Sequence, residues 1–335
     1  MMQLYPGPAY YDFVNLSWFA PDPAERLAVV STYVYQVQNQ HLRPHHTNTL
    51  EIGTDWESPW FTLRLTAYHK QLRNAIALAP ELLLLQKQLY EAVEEPVGRP
   101  PIVRPIEGEV QTILQEKQVM QNCREEVTDG IEFMLIPAKI KATNTEFNFQ
   151  GTWVKTTRIN KSDYMERSQY IVGEGQSRYG IYERTRLDSY LSSGRLALIQ
   201  HFPRIGLVFT LNTELNFIEY TRPVGGSIYP YAYYDHEGRF HAIPESERPA
   251  PEYDDLVLND NIFDIKDKKP FYTNFHLQVR KETRSGHSFS LYANNFLWLN
   301  PTYVFNESRR TLNDIVEFGF NMTFQIGGKR QGKIK

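Results

Sequence analysis

Residues 315–326, IVEFGFNMTFQI, alternate without a break. Val316, Phe318, Phe320, Met322, Phe324 and Ile326 fall on one side of an extended chain, and Glu317, Gly319, Asn321, Thr323 and Gln325 on the other. Successive side chains of a strand point to opposite faces, whereas an amphipathic helix repeats its apolar positions every 3.6 residues. The same period holds upstream. In FYTNFHLQVRKE, Phe271, Thr273, Phe275, Leu277 and Val279 oppose Tyr272, Asn274, His276, Gln278 and Arg280; after the turn RSGH at 284–287, Phe289, Leu291 and Ala293 share a face. Such a chain needs one apolar and one polar environment along the whole strand. A protein core and a lipid bilayer both satisfy the apolar half of that demand.

The rest of the chain reads the same way. Strands are expected at 12–19, 26–38, 48–56, 61–73, 130–136, 145–158, 184–202 (with a bulge at Ser193–Gly194) and 207–220, giving about eleven in all with the three above. Links alternate between short (20–25, 57–59, 137–144, 203–206, 284–287) and long (39–46, 74–129, 159–183, 221–270, 300–311). Within 74–129, PELLLLQKQLYEAVEE is rich in helix formers and predicts a helix at 81–94, followed by a Pro-rich break and a second, weaker helical stretch at 109–123. The expected fold class is therefore all-β: an antiparallel up-and-down meander with a helical insert in one long loop. Strands of about 12 to 16 residues exceed the globular norm of 5–6 and suit tilted bilayer spans. Short turns at one end and long loops at the other match outer-membrane barrels.

On that reading the polar face lines a wet lumen, with Arg64, Asn148, Gln150, Asn212, Glu214, Asn216, Asn274, His276, Gln278 and Arg280 as its wall. Each of them serves either to solvate that lumen or to contact a ligand. Trp18, Trp56, Trp60, Trp153 and Trp298 fall near strand ends or short turns, where interfacial aromatic girdles belong; ordinary core residues are the other reading.

Composition narrows the classes. The chain has 335 residues, 41% hydrophobic, 13% aromatic and 22% charged, with net charge −3. That balance is too apolar for wholesale disorder and gives no reason to expect nucleic acid. A lone cysteine, Cys123, allows no internal disulfide and no thiolate metal cluster. The longest apolar run, 76–85, contains Pro80 and Glu81 and falls short of the roughly 20 residues of a membrane helix. The start, MMQLYPGPAYY, lacks the basic, apolar and small-residue regions of a signal peptide.

Four stretches together resemble one family. HLRPHHTNTLEIGTDW followed by FTLRLTAYHKQLRNAI is similar to the segment L-x-P-E-x-T-x-x-Y-E-x-G of TonB-dependent outer-membrane receptors, with His45 at the usual Glu and Leu50 at the usual Tyr. GIEFML resembles a G-x-E strand of those barrels, LQVRKETRSGHSFSLYANNFLWLNP their penultimate hairpin, and FGFNMTFQI their closing strand. The resemblance covers nearly all of the chain outside its large loops. It implies the C-terminal half of a transmembrane barrel of about 22 strands filled by an N-terminal plug. Residues 1–335 would form a partial barrel domain with extracellular loops at about 74–129, 159–183 and 221–270. The implied location is the outer membrane. The implied partners are its lipid, an N-terminal barrel half and plug that this sequence does not contain, TonB only through that part, and a small ligand. The implied activity is energised uptake of a siderophore, haem, vitamin or glycan. The basic tail at 327–335 departs from a family that usually ends at an aromatic near Phe324.

No H-E-x-x-H, G-x-S-x-G, P-loop or complete G-x-G-x-x-G is present, so binding and passage are expected rather than catalysis, with no cofactor and no metal. His45 and His46 read as solvated loop residues or as metal ligands; His236 and His241 allow a haem or metal-chelate contact. The candidate ligand-capture residues are Tyr229, Tyr231, Tyr233, Tyr234, His236, Phe240 and His241, since Tyr-rich loops offer large, fairly rigid contact area. A loop that packs against its neighbours is the alternative. A soluble all-β binding protein and a passive porin-like barrel remain as competing functions.

Overall fold

The computed structural model describes residues 7–36, 39, 41–169, 177–183, 185–259, 263, 265–283, 285–305, 308–312 and 315–326. Arg284 of the RSGH turn, residues 170–176 of the 159–183 loop and the basic tail at 327–335 lie outside these. In chain order the strands are β1 (Ala9–Trp18), β2 (Leu27–Tyr35), β3 (His46–Glu57), β4 (Phe61–Glu94), β5 (Ile102–Pro137), β6 (Thr145–Asn160), β7 (Tyr164–Arg167), β8 (Tyr179–Tyr182) and β9 (Arg186–Phe202). They continue as β10 (Leu207–Val224), β11 (Ala232–Tyr234), β12 (Phe240–Ala242), β13 (Asp267–Lys269), β14 (Tyr272–Glu282), β15 (Ser288–Leu299), β16 (Thr302–Phe305), β17 (Ser308–Thr311) and β18 (Glu317–Thr323).

The fold is all-β and antiparallel. The main sheet runs β3-β4-β5-β6-β9-β10-β14-β15-β18, with β13 added beside β10. Each strand on this path pairs with the next long strand of the sequence, as an up-and-down meander requires. The sheet is open among the described residues: β3 and β18 are its two ends. The turns at one end are tight. Ser58 organises the first, its N–H reaching Phe61 O (2.9 Å) and its Oγ accepting from Phe61 N (3.1 Å). The 203–206 turn closes on Gly206, whose φ of 62° suits glycine.

Three expectations are corrected. First, the 81–94 and 109–123 stretches are not helices. They are the outer parts of β4, 34 residues long, and β5, 36 residues long, paired from Phe61↔Pro137 to Glu94↔Ile102. At about 3.3 Å per residue such a hairpin spans roughly 110 Å. Beyond Arg73, β4 has lost β3, and beyond Arg124, β5 has lost β6, so the outer part is a two-stranded ribbon. Both its strands are edges, which is where Pro80 and Pro105 are tolerated. The register shifts at its base, where Asn74 takes φ 56°.

Second, the bulge expected at Ser193–Gly194 lies in the partner strand, at Phe217, between Asn216↔Ser193 and Ile218↔Ser192. Third, among the described residues β1 and β2 pair only with each other and do not join the main sheet. Their hairpin lies along the ribbon instead. The Arg43 N–H donates to Asn122 Oδ1 at the ribbon's base (2.7 Å), and Gly98 N–H at its tip donates to Glu25 Oε1 (2.8 Å). The short 20–25 link therefore sits at the opposite end from the other short turns.

A two-stranded ribbon is marginal on its own. One face of this one is covered by the β1–β2 hairpin. Ala77, Ala79 and Cys123 are buried together, and Lys117, 5% exposed at its side chain, places its ammonium 3.0 Å from Glu81 Oε2 and over the Tyr35 ring. On the other face, Leu84 meets Gly238 of the Tyr-rich loop so closely that a Cβ there would strike it. The buried core thus sits among the outer elements: Tyr179, Ile181, Tyr182, Ala232, Ile243, Leu256 and Leu258 belong to the loop layer.

The sheet itself has an uncovered apolar face. Leu50, Ile52, Leu65, Ile131, Phe133, Leu291, Phe318, Phe320 and Met322 are all exposed, Phe318 at 78% and Phe320 at 68%. None of the five tryptophans is buried, so none is an ordinary core residue. On the polar face, aromatic rings lie over cross-strand glycines. A Cβ on Gly130 would fall 2.2 Å from Tyr68 Cζ, and one on Gly319 would fall 2.3 Å from Tyr292 Cζ. The rings close over the missing side chains and hold the paired strands in register. Gly130→Val is expected to expel the Tyr68 ring and cost about 1–3 kcal/mol, read as a lower urea midpoint; an unchanged midpoint would contradict the packing.

Candidate functional site

Cross-strand pairing brings the polar-face residues into continuous rows. Arg64 pairs with Met134, Met134 with Gln150, Gln150 with Arg195, Arg195 with Glu214, and Glu214 with Asn274. The next row toward the long-loop end carries Thr66, Glu132, Thr152, Ser193, Asn216 and Tyr272. Toward the short turns, Asn148, Ala197, Asn212 and His276 follow one another in the same way. Six strands therefore present one concave polar surface, with a cavity of about 540 Å³.

Of the ten wall residues expected from sequence, Arg64, Gln150, Glu214 and Asn216 line this cavity. Asn148, Asn212, Asn274 and His276 stand in the same or the adjacent row. Gln278 and Arg280 lie nearer the short turns, and Arg280 Nη2 is held by Glu282 Oε1 (2.8 Å). Charges alternate in sign across the wall: Arg64, Glu132, Arg195 and Glu214 all line it. The Arg195 Nη2 donates to Asn212 Oδ1 (2.9 Å), and His276 Nε2 lies 3.7 Å from Glu214 Oε2. Arg64 Nε is 3.6 Å from Asp55 Oδ2, and Gln150 Nε2 donates to Asn148 Oδ1 (3.4 Å). The surface can hydrogen-bond a solvated or peptide-like occupant along its length. Sequence reasoning missed Arg195 and Glu132. The misplaced bulge hid Arg195 by reversing parity; Glu132 was readable from its alternation with Ile131 and Phe133 in GIEFML.

The Tyr-rich loop is organised differently. β7, β8, β11 and β12 come from separate connections and form one small sheet, β12-β11-β8-β7. Asp255 is buried beneath it and accepts from the Arg178 guanidinium, whose Nη2 also donates to Glu252 O (2.8 Å). The Tyr182 hydroxyl, pushed up in pKa first by burial and then by Glu166, donates to Leu256 O. Tyr233 stacks on His241 (4.9 Å between centroids), meets Tyr253 at 5.9 Å, and lies under the Arg178 guanidinium. Tyr234 meets Phe240 edge-on at 5.7 Å. Tyr231 is tied by backbone to Ile181 and Ile243, and the Tyr229 N–H donates to Ser227 Oγ. His236 and Phe240 are exposed. The seven candidate capture residues thus build and cap the loop layer. None of them lines the 540 Å³ cavity of the polar face or the 680 Å³ cavity at its long-loop end. Among the described residues no three His, Cys, Asp or Glu side chains, His45 and His46 included, converge to hold a metal ion.

Asp235 is the anchor of the turn between β11 and β12. Burial alone would raise its carboxyl. Hydrogen bonds from His241 Nε2 (2.8 Å), the Arg239 guanidinium (2.9 Å) and the backbone N–H groups of Glu237 and Arg239 outweigh burial and hold it well below the ordinary 3.8. A carboxyl with a lowered folded-state value adds stability that is full above its unfolded range and lost only as pH falls through the folded one. The turn is therefore expected to resist protease equally at pH 7 and pH 4.5. Asp235→Asn should cost about 1–3 kcal/mol locally and speed cleavage within residues 235–248; equal cleavage of both chains would contradict the anchor.

No family model, curated protein or solved structure matches the chain.

Proposed function

We propose that this chain is the wall and outer loops of a TonB-dependent outer-membrane transporter, taking part in energised uptake of a small nutrient ligand. One observation carries the reading: a meander of nine strands whose apolar face is uncovered, most fully on β3, β4, β5, β15 and β18, while its polar residues gather on the concave side. Leaving a Phe, Leu or Ile side chain in water instead of an apolar environment forgoes about 1.5–3 kcal/mol each. Lipid supplies that environment without a second protein layer. The soluble-sandwich alternative needs Phe318, Phe320 and Met322 to be covered, and they are 78%, 68% and 51% exposed. The grouping of tight turns at one end and the folded loop layer at the other agrees with a membrane wall that carries its binding elements outside.

In this reading the concave row from Arg64 to Asn274 faces the plug of the complete transporter, and the loop layer meets the ligand. An open sheet leaves the β3 and β18 edges without partners in lipid, so closure requires further strands. TonB acts through the plug and touches none of these residues. The chain binds and positions; it performs no covalent step.

Co-production with an N-terminal barrel half should bring the chain into the membrane fraction with heat-modifiable migration in gels. Phe320→Arg should then lower the stability of the inserted protein by about 2–4 kcal/mol, while Asn321→Arg, one residue away on the polar face, stays near neutral. Recovery as a monodisperse, water-soluble monomer without detergent would overturn the reading.

A further inference from the structure

The concave face carries a second and larger cavity, of about 680 Å³, at its long-loop end. Leu187 in its wall lies six residues beyond Ser193 of the first cavity along β9, about 20 Å away. The cavity opens between the ribbon, the β6–β7 link and the outer ends of β9 and β10. Its volume suits a molecule of drug-like size.

Its chemistry is one-sided. Leu78, Pro80, Leu187, Phe263, Ile265 and Phe305 give it an apolar and aromatic wall, and its charged members are Glu116, Asp163 and Asp267. Among the described residues no Lys or Arg lines it. Of the cations that adjoin lining residues in sequence, Lys117 pairs with Glu81, Lys161 with Glu125, and Arg186 Nε with Asp188 Oδ1 at 3.0 Å. Arg222, between Thr221 and Pro223, falls on the other face of β10 by alternation. One acceptor is left over. Asp267 Oδ1 is shielded from solvent and meets no donor among the described residues. With no donor to offset it, the charge of the Asp267 carboxylate is uncompensated in the cavity wall and favours a cation beside it. A metal ion is a poor fit, because the carboxylates do not converge on one point.

We propose that this cavity binds an organic cation with an apolar or aromatic body and a primary ammonium group. The ammonium donates to the Asp267 carboxylate, Glu116 and Asp163 add negative potential, and the body packs on Phe263 and Phe305, whose ring faces attract a nearby cation. A quaternary ammonium has no N–H to offer Asp267 and binds less well. The assignment of this ligand as cargo rests on the transporter reading; the cavity's preference for it does not.

The test is a calorimetric titration of the whole folded chain, in lipid nanodiscs or in buffer according to how it is recovered. The probes are 4-phenylbutylamine, its trimethylammonium analogue and 4-phenylbutanoate. The amine should bind at least tenfold more tightly than the carboxylate and more tightly than the trimethylammonium compound. Asp267→Asn should weaken the amine at least fivefold, and Phe305→Ala should weaken amine and trimethylammonium alike. Glu237→Gln, outside the cavity, should change neither. Equal affinity for amine and carboxylate, or amine binding that survives both cavity substitutions, would overturn the proposal. An inserted chain without amine selectivity refutes the cavity assignment alone. A water-soluble chain that keeps the selectivity refutes the transporter reading and leaves the cavity assignment standing.

Discussion

The rest of the structure depends on the register of one antiparallel ladder. Strand side chains repeat every two residues, so a slip of one residue anywhere would exchange the apolar and polar faces of that strand. The ladder avoids this from Arg64 to Asn274, where six consecutive strands keep one polar row in line. Short links at one end join β3 to β4, β5 to β6, β9 to β10 and β14 to β15, and rings laid over Gly130 and Gly319 hold neighbouring strands together. The single irregularity between β9 and β10, at Phe217, falls just beyond the second polar row. There it swaps the parity of β10 without disturbing the first cavity.

Beyond that ladder the β4–β5 ribbon carries the outer elements. It leaves the sheet with both edges unpaired and is stabilised by what lies against it: the β1–β2 hairpin on one face, the Tyr-rich loop on the other. The Lys117–Glu81 pair beneath Tyr35 and the Gly98–Glu25 contact fasten the hairpin along the ribbon's length. The loop layer has a hydrophobic core of its own around Tyr182 and Leu256. Apolar residues are thus buried among the outer elements and bare along the sheet. The proposed lipid environment would favour that inversion.

The main sheet was legible in the amino-acid sequence because its two faces differ in polarity. IVEFGFNMTFQI and FYTNFHLQVRKE show a strict two-residue period, and both are strands paired as that period demands. The ribbon was not legible. Leu82, Leu83, Leu84 and Leu85 place apolar groups on both of its faces, so the alternation that marks a half-buried strand vanishes. What remained was the local preference of Leu, Gln, Glu and Lys for helix, and a long pairing with β5 overrides it. The β1–β2 hairpin misled for a different reason: its period is correct, but period alone does not say which strand it pairs with. In the site, the alternation located Arg64, Gln150, Glu214 and Asn216 and lost Arg195 because the bulge belongs to β10 rather than β9. The Tyr-rich composition of 229–234 suits a ligand-capture surface and a packed loop alike, and the contacts of Tyr233 with His241, Tyr253 and Arg178 arise from pairing between loops that no local pattern displays.

The central claim is that the uncovered face of the sheet is solvated by lipid. Nitroxide labels placed singly at each position from 317 to 323, in the chain assembled in bilayers, test it most directly. Collision with oxygen, which concentrates in lipid, should peak at 318, 320 and 322, and collision with a water-soluble nickel chelate should peak at 317, 319 and 321. Exclusion of both reagents from 318, 320 and 322 would place those side chains in a protein core and contradict the account.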